Sequence, residues 1–189
     1  MDFHWTSARP LAETFNIYPI KMLVKRYLRA SKVSIDPFAR NKRWATYTND
    51  LNPHTKAEYH LDALVFLEQF RNDGVRVDLA LFDPPFSPRQ MKEMYDSIGL
   101  KMTHYDTRRT ANWTKERDVL RDMVEIGGFV VSFGWNSVGM GRRRGFEPVE
   151  GWLVCHGAAH NDTIVLVEKK VSEQTTFHRP HVDPGAFGL

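Results

Sequence analysis

One cysteine, Cys155, stands in 189 residues, which excludes an internal disulfide and any zinc site built from several cysteines. Histidine is present but scattered. His156 and His160 lie four apart and His178 and His181 three apart, neither pair has a third ligand of evident kind nearby, and no metal is expected. No apolar run is long enough to span a bilayer and nothing reads as a leader, so no membrane association and a cytoplasmic location are expected. No serine or cysteine sits in a nucleophile context. An excess of one charge is also missing: the net charge is +3 and the pI near 9.0, a mild basic bias that suits a polyanionic partner without requiring one. What is there, 42% hydrophobic and 26% charged residues, suffices for one domain with a real core.

The most informative stretch is Leu79-Ala80-Leu81-Phe82 followed by Asp83-Pro84-Pro85-Phe86. A buried strand that stops at a carboxylate, two prolines and an aromatic ring delivers that tetrad to a sheet edge, where α/β folds do chemistry. If the substrate is a planar ring with an exocyclic amine, each residue has a use. The prolines stiffen the backbone and donate no N–H, leaving the Pro84 carbonyl as an acceptor beside the Asp83 carboxylate. Two acceptors on the two amine hydrogens draw the nitrogen lone pair out of conjugation, and Phe86 offers a stacking face worth roughly 1 to 3 kcal/mol for a base. The competing reading is a strand end with a proline-rich turn.

Along the chain, residues 1–18 show no period and are expected to be an arm. Ile20, Leu23, Val24, Tyr27 and Leu28 recur at helical spacing after Pro19, with Lys21, Lys25, Arg26 and Arg29 on the other face. Short strands are expected at 33–38, 44–48 and 58–61, a helix from Ala63 with Asp62 as its N-cap, a strand over 75–82, and a helix from Ser87 to about Ile98. The polar stretch from Gly99 to Asn112 reads as a substrate-facing loop. A helix over 114–126, a turn at Gly127-Gly128, a strand over 129–133 and two strands over 146–156 and 163–169 complete the pattern, with an irregular tail over 172–189.

Asp-Pro-Pro-Phe at a strand end resembles the catalytic tetrad of S-adenosylmethionine-dependent amino-methyltransferases, which methylate adenine N6 or cytosine N4 in DNA. The stretches Phe133-Gly134-Trp135-Asn136-Ser137 and His160-Asn161-Asp162-Thr163 resemble the small phage-type adenine enzymes, and the likeness covers about residues 16 to 170. It implies one Rossmann-like α/β domain, a mostly parallel sheet with a final antiparallel strand, and site-specific transfer of a methyl group to an adenine flipped out of double-stranded DNA. It implies Asp83, Pro84, Pro85 and Phe86 as catalytic residues. The cofactor S-adenosylmethionine is expected against Lys21, Asp36, Pro37 and Phe38, with Asp50 beside Leu51 on the ribose and Asp62 beside Ala63 on the adenine. Asp50 has the alternative of a turn before Pro53, and Asp62 that of a cap alone. The family's glycine loop is replaced by Ala39-Arg40-Asn41, a compact alanine and an asparagine tolerant of left-handed geometry. Cytosine N4, an RNA or small amine substrate, a non-catalytic DNA- or cofactor-binding subunit and assembly as a homodimer are the alternatives.

Right-handed crossovers put strand-to-helix loops on one sheet edge. On that rule Arg40, Lys42, Arg43, Arg89, Arg108, Arg109 and Arg142, Arg143 and Arg144 are expected to surround Asp83 and hold DNA phosphates.

Overall fold

In β4 (Val77–Phe82), Ala80 and Phe82 pack into one apolar layer and Leu79 and Leu81 into the other, so the strand is buried on both faces. A strand inside a parallel sheet has no solvent side, hence the unbroken apolar run. The computed structural model describes residues 1–103, 106, 113–157 and 160–173. Around β4 it forms a seven-stranded sheet that also holds β1 (Asp2–Ser7), β2 (Ser34–Asp36), β3 (Tyr47–Thr48), β5 (Val124–Gly134), β6 (Phe146–Cys155) and β7 (Thr163–Lys170), in the order β1-β6-β7-β5-β4-β2-β3. β3, β2, β4 and β5 are parallel, β7 runs antiparallel between β5 and β6, and β1 adds in parallel to β6. The expected α/β class with a mostly parallel sheet and a reversed final strand is therefore present.

On one face lies α1 (Tyr18–Ala30), burying Ile20, Leu23 and Val24 against Leu79, Leu81 and Val131. The other face carries α2 (Ala63–Asn72), α3 (Pro88–Ser97) and α4 (Thr114–Met123), with Phe66, Leu67, Met91 and Leu120 over Ala80, Phe82 and Val130. The Asp62 side chain accepts from the N–H groups of Leu64 and Val65, and Ser87 accepts from that of Gln90, so both helices start where a capping oxygen takes up orphan donors.

Five expectations are corrected. The supposed arm contains β1, whose aromatics Phe3 and Trp5 are exposed while His4 stacks on Trp152 at 4.4 Å. Its partner lies about 150 residues away, so no local pattern announces it. The strand at 58–61 reduces to a single bridge, Asn49 to Tyr59, and that at 44–48 to Tyr47–Thr48. Gly127 and Gly128 lie inside β5, where the pairing with β4 slips in register. Helix α4 accordingly ends at Met123.

Candidate active site

The carboxyl ends of β2, β4, β5 and β6 share one edge of the sheet with the start of β7. A cavity of about 750 Å³ opens there. Asp83 follows β4 directly, and Asp83, Pro84, Pro85 and Phe86 all line the cavity. Asp83 Oδ1 is buried and has no hydrogen-bond partner among the described residues. Burial pushes this carboxyl up to about 6, against the pull of the Thr14 hydroxyl and the Arg40 guanidinium. The Phe86 N–H donates to Gln90 Oε1 at 2.7 Å, and its ring lies 5.7 Å from that of Trp135.

Asp36 ends β2 with 1% exposure and does not reach the cavity wall. Burial lifts its carboxyl well above the usual range; the Phe38 N–H at 3.0 Å opposes this, and the negative Asp83 and Asp50 add to it. Its neighbours Pro37 and Phe38 do line the cavity, Phe38 packing edge-on against Phe82 at 5.5 Å and Trp113 at 5.1 Å. Beyond β3, Asp50 and Leu51 line it too. The Asp50 oxygens accept from the N–H groups of Arg40 at 3.1 Å and Asn52 at 2.9 Å, while burial raises its pKa. Asp62 and Ala63 complete this wall, so the capping carboxylate of α2 also faces the cavity.

Arg40 lines the cavity with φ of 50°, the left-handed conformation a glycine would take without cost. The residue expected there was Asn41. Arg40 Nη1 donates to the Ala12 carbonyl, and Asn41 Nδ2 to Glu13 Oε1 at 2.9 Å, which ties the segment after β1 to the loop after β2. Pro10, Leu11, Ala12 and Thr14 thereby become wall residues.

Lys21 is not among the lining residues; Ile17, to whose carbonyl its N–H donates, is. The basic clusters do not gather as expected. Lys42 is held by Glu13 at 3.2 Å, Arg43 lies 3.8 Å from Glu58, and Arg89 pairs with Glu93 on exposed α3. Arg142, Arg143 and Arg144 precede Phe146, which pairs with Lys170 at the far end of β7, so they occupy the opposite edge from Asp83. The chain after β5 returns down the sheet before turning into β6, and a loop that returns cannot be placed by the crossover rule. Arg108 and Arg109 lie outside the described residues.

Among the wall residues to which the sequence assigns no role, three stand out. Trp113, 4% exposed and with φ of 47°, donates from Nε1 to the Pro85 carbonyl at 3.3 Å and so braces the tetrad from behind. Trp135 directly follows β5, a position that the edge rule makes conspicuous. His156 faces the Ala8 carbonyl with Nδ1 at 2.8 Å and Thr163 Oγ1 with Nε2 at 2.9 Å, so both ring nitrogens have protein partners.

No family model matches the chain, and no curated protein matches it. Solved structures do. The chain is similar to NSun6 from Pyrococcus horikoshii, solved with SFG, at 14% identity and a TM-score of 0.53 over 80% of this chain and 52% of that one. SMU.776, a provisionally assigned methyltransferase complexed with SAH, matches at 10% identity and 0.52 over 79% and 49%. An rRNA methylase from Streptococcus thermophilus matches at 12% identity and 0.51 over 86% and 100%. The chain thus spans about half the length of NSun6 and of SMU.776 and the whole of the rRNA methylase. At these identities the likeness establishes the fold alone, a Rossmann-like α/β domain of the kind these structures share.

Proposed function

We propose that this chain is a methyltransferase that moves the methyl group of S-adenosylmethionine to the exocyclic amine of a nucleic-acid base, adenine N6 in duplex DNA. The observation that carries the reading is the buried Oδ1 of Asp83, without a hydrogen-bond partner among the described residues, in a residue that lines the cavity together with Phe86. An orphan acceptor of this kind costs about 1 to 3 kcal/mol and is retained where a ligand donor completes it.

The cavity fits a nucleotide-like cofactor with a base beside it. Its volume lies in the upper part of the roughly 300 to 1,000 Å³ common for ligand sites. Asp50 stands where ribose hydroxyls find a carboxylate in such folds, with lone pairs left beyond its two backbone N–H donors. Asp62, Ala63, Pro37 and Phe38 provide an acceptor and apolar walls nearby. When bound, S-adenosylmethionine supplies an electrophilic methyl group on a sulfonium.

Asp83 would then accept one hydrogen of the amine and the Pro84 carbonyl the other, leaving the nitrogen lone pair free to take the methyl group that the bound sulfonium would supply. The extra proton leaves nitrogen for Asp83 or water. Phe86 and Trp135 give the extruded base its aromatic surroundings, and extrusion is what lets an enzyme reach such an atom.

The test is incubation with methyl-labelled S-adenosylmethionine and unmethylated duplex DNA, digestion to nucleosides, and mass spectrometry. Label in N6-methyldeoxyadenosine is expected. Label in N4-methyldeoxycytidine would change the base, and label only with RNA the polymer. No label and no melting-temperature rise with S-adenosylhomocysteine would leave a non-catalytic binding subunit.

A further inference from the structure

No aspartate or glutamate occurs between Thr14 and Ile35, while Lys21, Lys25, Arg26, Arg29 and Lys32 do. On α1, at about 100° per residue, Tyr18, Lys21, Met22, Lys25 and Arg29 fall within roughly 100° of arc, opposite Ile20, Leu23 and Val24. Tyr18 is 73% exposed, and Arg29 and Lys32 are exposed. Among the described residues Lys21, Lys25, Arg29 and Lys32 form no ion pair. The acid at the far end of the helix, Asp78, is spent on the Ser31 hydroxyl and the N–H groups of Lys32 and Val33. Arg26, at the border of this face, is held by Glu150.

A second feature lies beside the face. The ammonium groups of Lys25 and Lys42 stand 5.4 and 5.6 Å from the ring centre of Trp44, and only Lys42 has a carboxylate, Glu13. Two like charges share one ring with one counter-charge between them, an arrangement that an added anion relieves. The helix also points somewhere: Ile17, just before its first residue, lines the cavity that holds Asp83.

We propose that the outward face of α1 is the track along which the phosphodiester backbone of the nucleic-acid substrate lies on its way to the cavity. The proposal rests on the methyltransferase reading and adds to it the surface that holds the polymer. A 13-residue helix is about 20 Å long, which spans roughly six phosphates of one strand at about 3.4 Å each, and cations four residues apart fall about 6 Å apart along it. An anionic lipid surface would need an apolar helix face to insert, and the apolar face of α1 is buried against the sheet. Tyr18 and Met22 at the cavity end leave an aromatic and a flexible apolar side chain where the duplex must open.

The experiment compares the full chain with a Lys25→Gln, Arg29→Gln, Lys32→Gln variant, reading the anisotropy of a labelled duplex DNA of about two helical turns between about 50 and 200 mM salt. Loss of three phosphate contacts predicts affinity at least about tenfold lower and a slope of log Kobs against log salt shallower by about 3. The melting temperature of the free protein and its rise with S-adenosylhomocysteine are expected to be unchanged, since all three side chains lie outside the cavity. Unchanged affinity and slope in the variant would overturn the proposal. So would a loss confined to vesicles of anionic phospholipid. Absence of methyl transfer with α1-dependent duplex binding intact would sink the chemistry alone, whereas transfer by the wild type with duplex binding indifferent to the variant would sink the α1 track alone.

Discussion

The two edges of the sheet both bury charge, and they treat it in opposite ways. At the amino edge of β5, Lys170 is fully enclosed, yet its three hydrogens go to the carbonyls of Arg121 at 2.9 Å and Val124 at 3.0 Å and to Glu173 at 2.9 Å. Glu168 accepts from the N–H groups of Met140 and Gly141, and Arg144 bonds Asp118 at 2.7 Å. At the carboxyl edge, among the described residues, Asp83 keeps an oxygen without a partner and the Asp36 carboxyl accepts from the N–H of Phe38. Satisfied charge stiffens a fold, whereas unsatisfied charge is a standing cost that a ligand removes. The first arrangement serves stability, and on the proposed function the second is the one a ligand completes.

Asp83→Ala is the sharpest way to break the contrast, because it removes the orphan acceptor itself. Methyl transfer is expected to fall about 100- to 1,000-fold, as for the loss of one preorganised electrostatic partner, while the melting-temperature rise with S-adenosylhomocysteine is kept. With the carboxyl at about 6, the wild-type kcat/KM should also drop as pH falls through that value, since a protonated oxygen no longer accepts from the amine. Retention of a tenth of wild-type turnover would remove Asp83 from the chemistry.

Lys170→Met attacks the other edge. It leaves two carbonyls without this donor, at about 1 to 3 kcal/mol each, so denaturant unfolding should register a loss of roughly 2 to 6 kcal/mol. Activity per folded molecule should not change. A variant as stable as wild type would mean that the amino edge is not the stabilising one.

Asp83→Asn reads the cost of the carboxyl edge directly. The folded carboxyl titrates at about 6, above its unfolded value near 3.9, so the native state binds the proton more tightly. Stability is therefore highest in acid and declines as pH rises from about 4 to 6, by up to about 3 kcal/mol for two units. Asparagine does not titrate. The variant's advantage should thus be small near pH 4 and reach roughly 2 to 3 kcal/mol above pH 7, measured as the difference between unfolding free energies across pH. An advantage that does not depend on pH would assign the strain to something other than the charge.

How much of this was legible follows from the range of the interactions. β4 and its tetrad could be read because a doubly buried strand is an uninterrupted apolar run ending in proline, and Asp62 because a cap acts within three residues. β1 could not, since it is held by backbone bonds to β6 and exposes Phe3 and Trp5 rather than alternating apolar with polar. Trp113 was hidden by its polar surroundings, its role being set by Pro85, 28 residues before it. Arg142, Arg143 and Arg144 were put at the wrong edge because the sequence shows that a loop follows β5 but not that it runs back to the start of β6. The segment from Gly99 to Asn112 and the tail fall largely outside the described residues.

The smallest effect tests the point where sequence and backbone disagree. The loop after β2 has no glycine, and its left-handed residue is Arg40, whose side chain ties down the Ala12 carbonyl. A side chain in that conformation costs about 1 to 2 kcal/mol that glycine does not incur, though glycine loses more entropy on folding. Arg40→Ala keeps the backbone cost and loses the tether; Arg40→Gly loses both. The glycine variant should therefore be the more stable of the two by about 1 kcal/mol in denaturant midpoint, with both closer to wild type than Lys170→Met. Because Arg40 and Ala12 both line the cavity, loss of the bond between them should also make both variants release S-adenosylhomocysteine faster than wild type. Equal stability of the two would mean that the loop relaxes away from the left-handed geometry once Arg40 is gone, and that the arginine itself, gripping Ala12, holds the backbone in a conformation that glycine takes without cost.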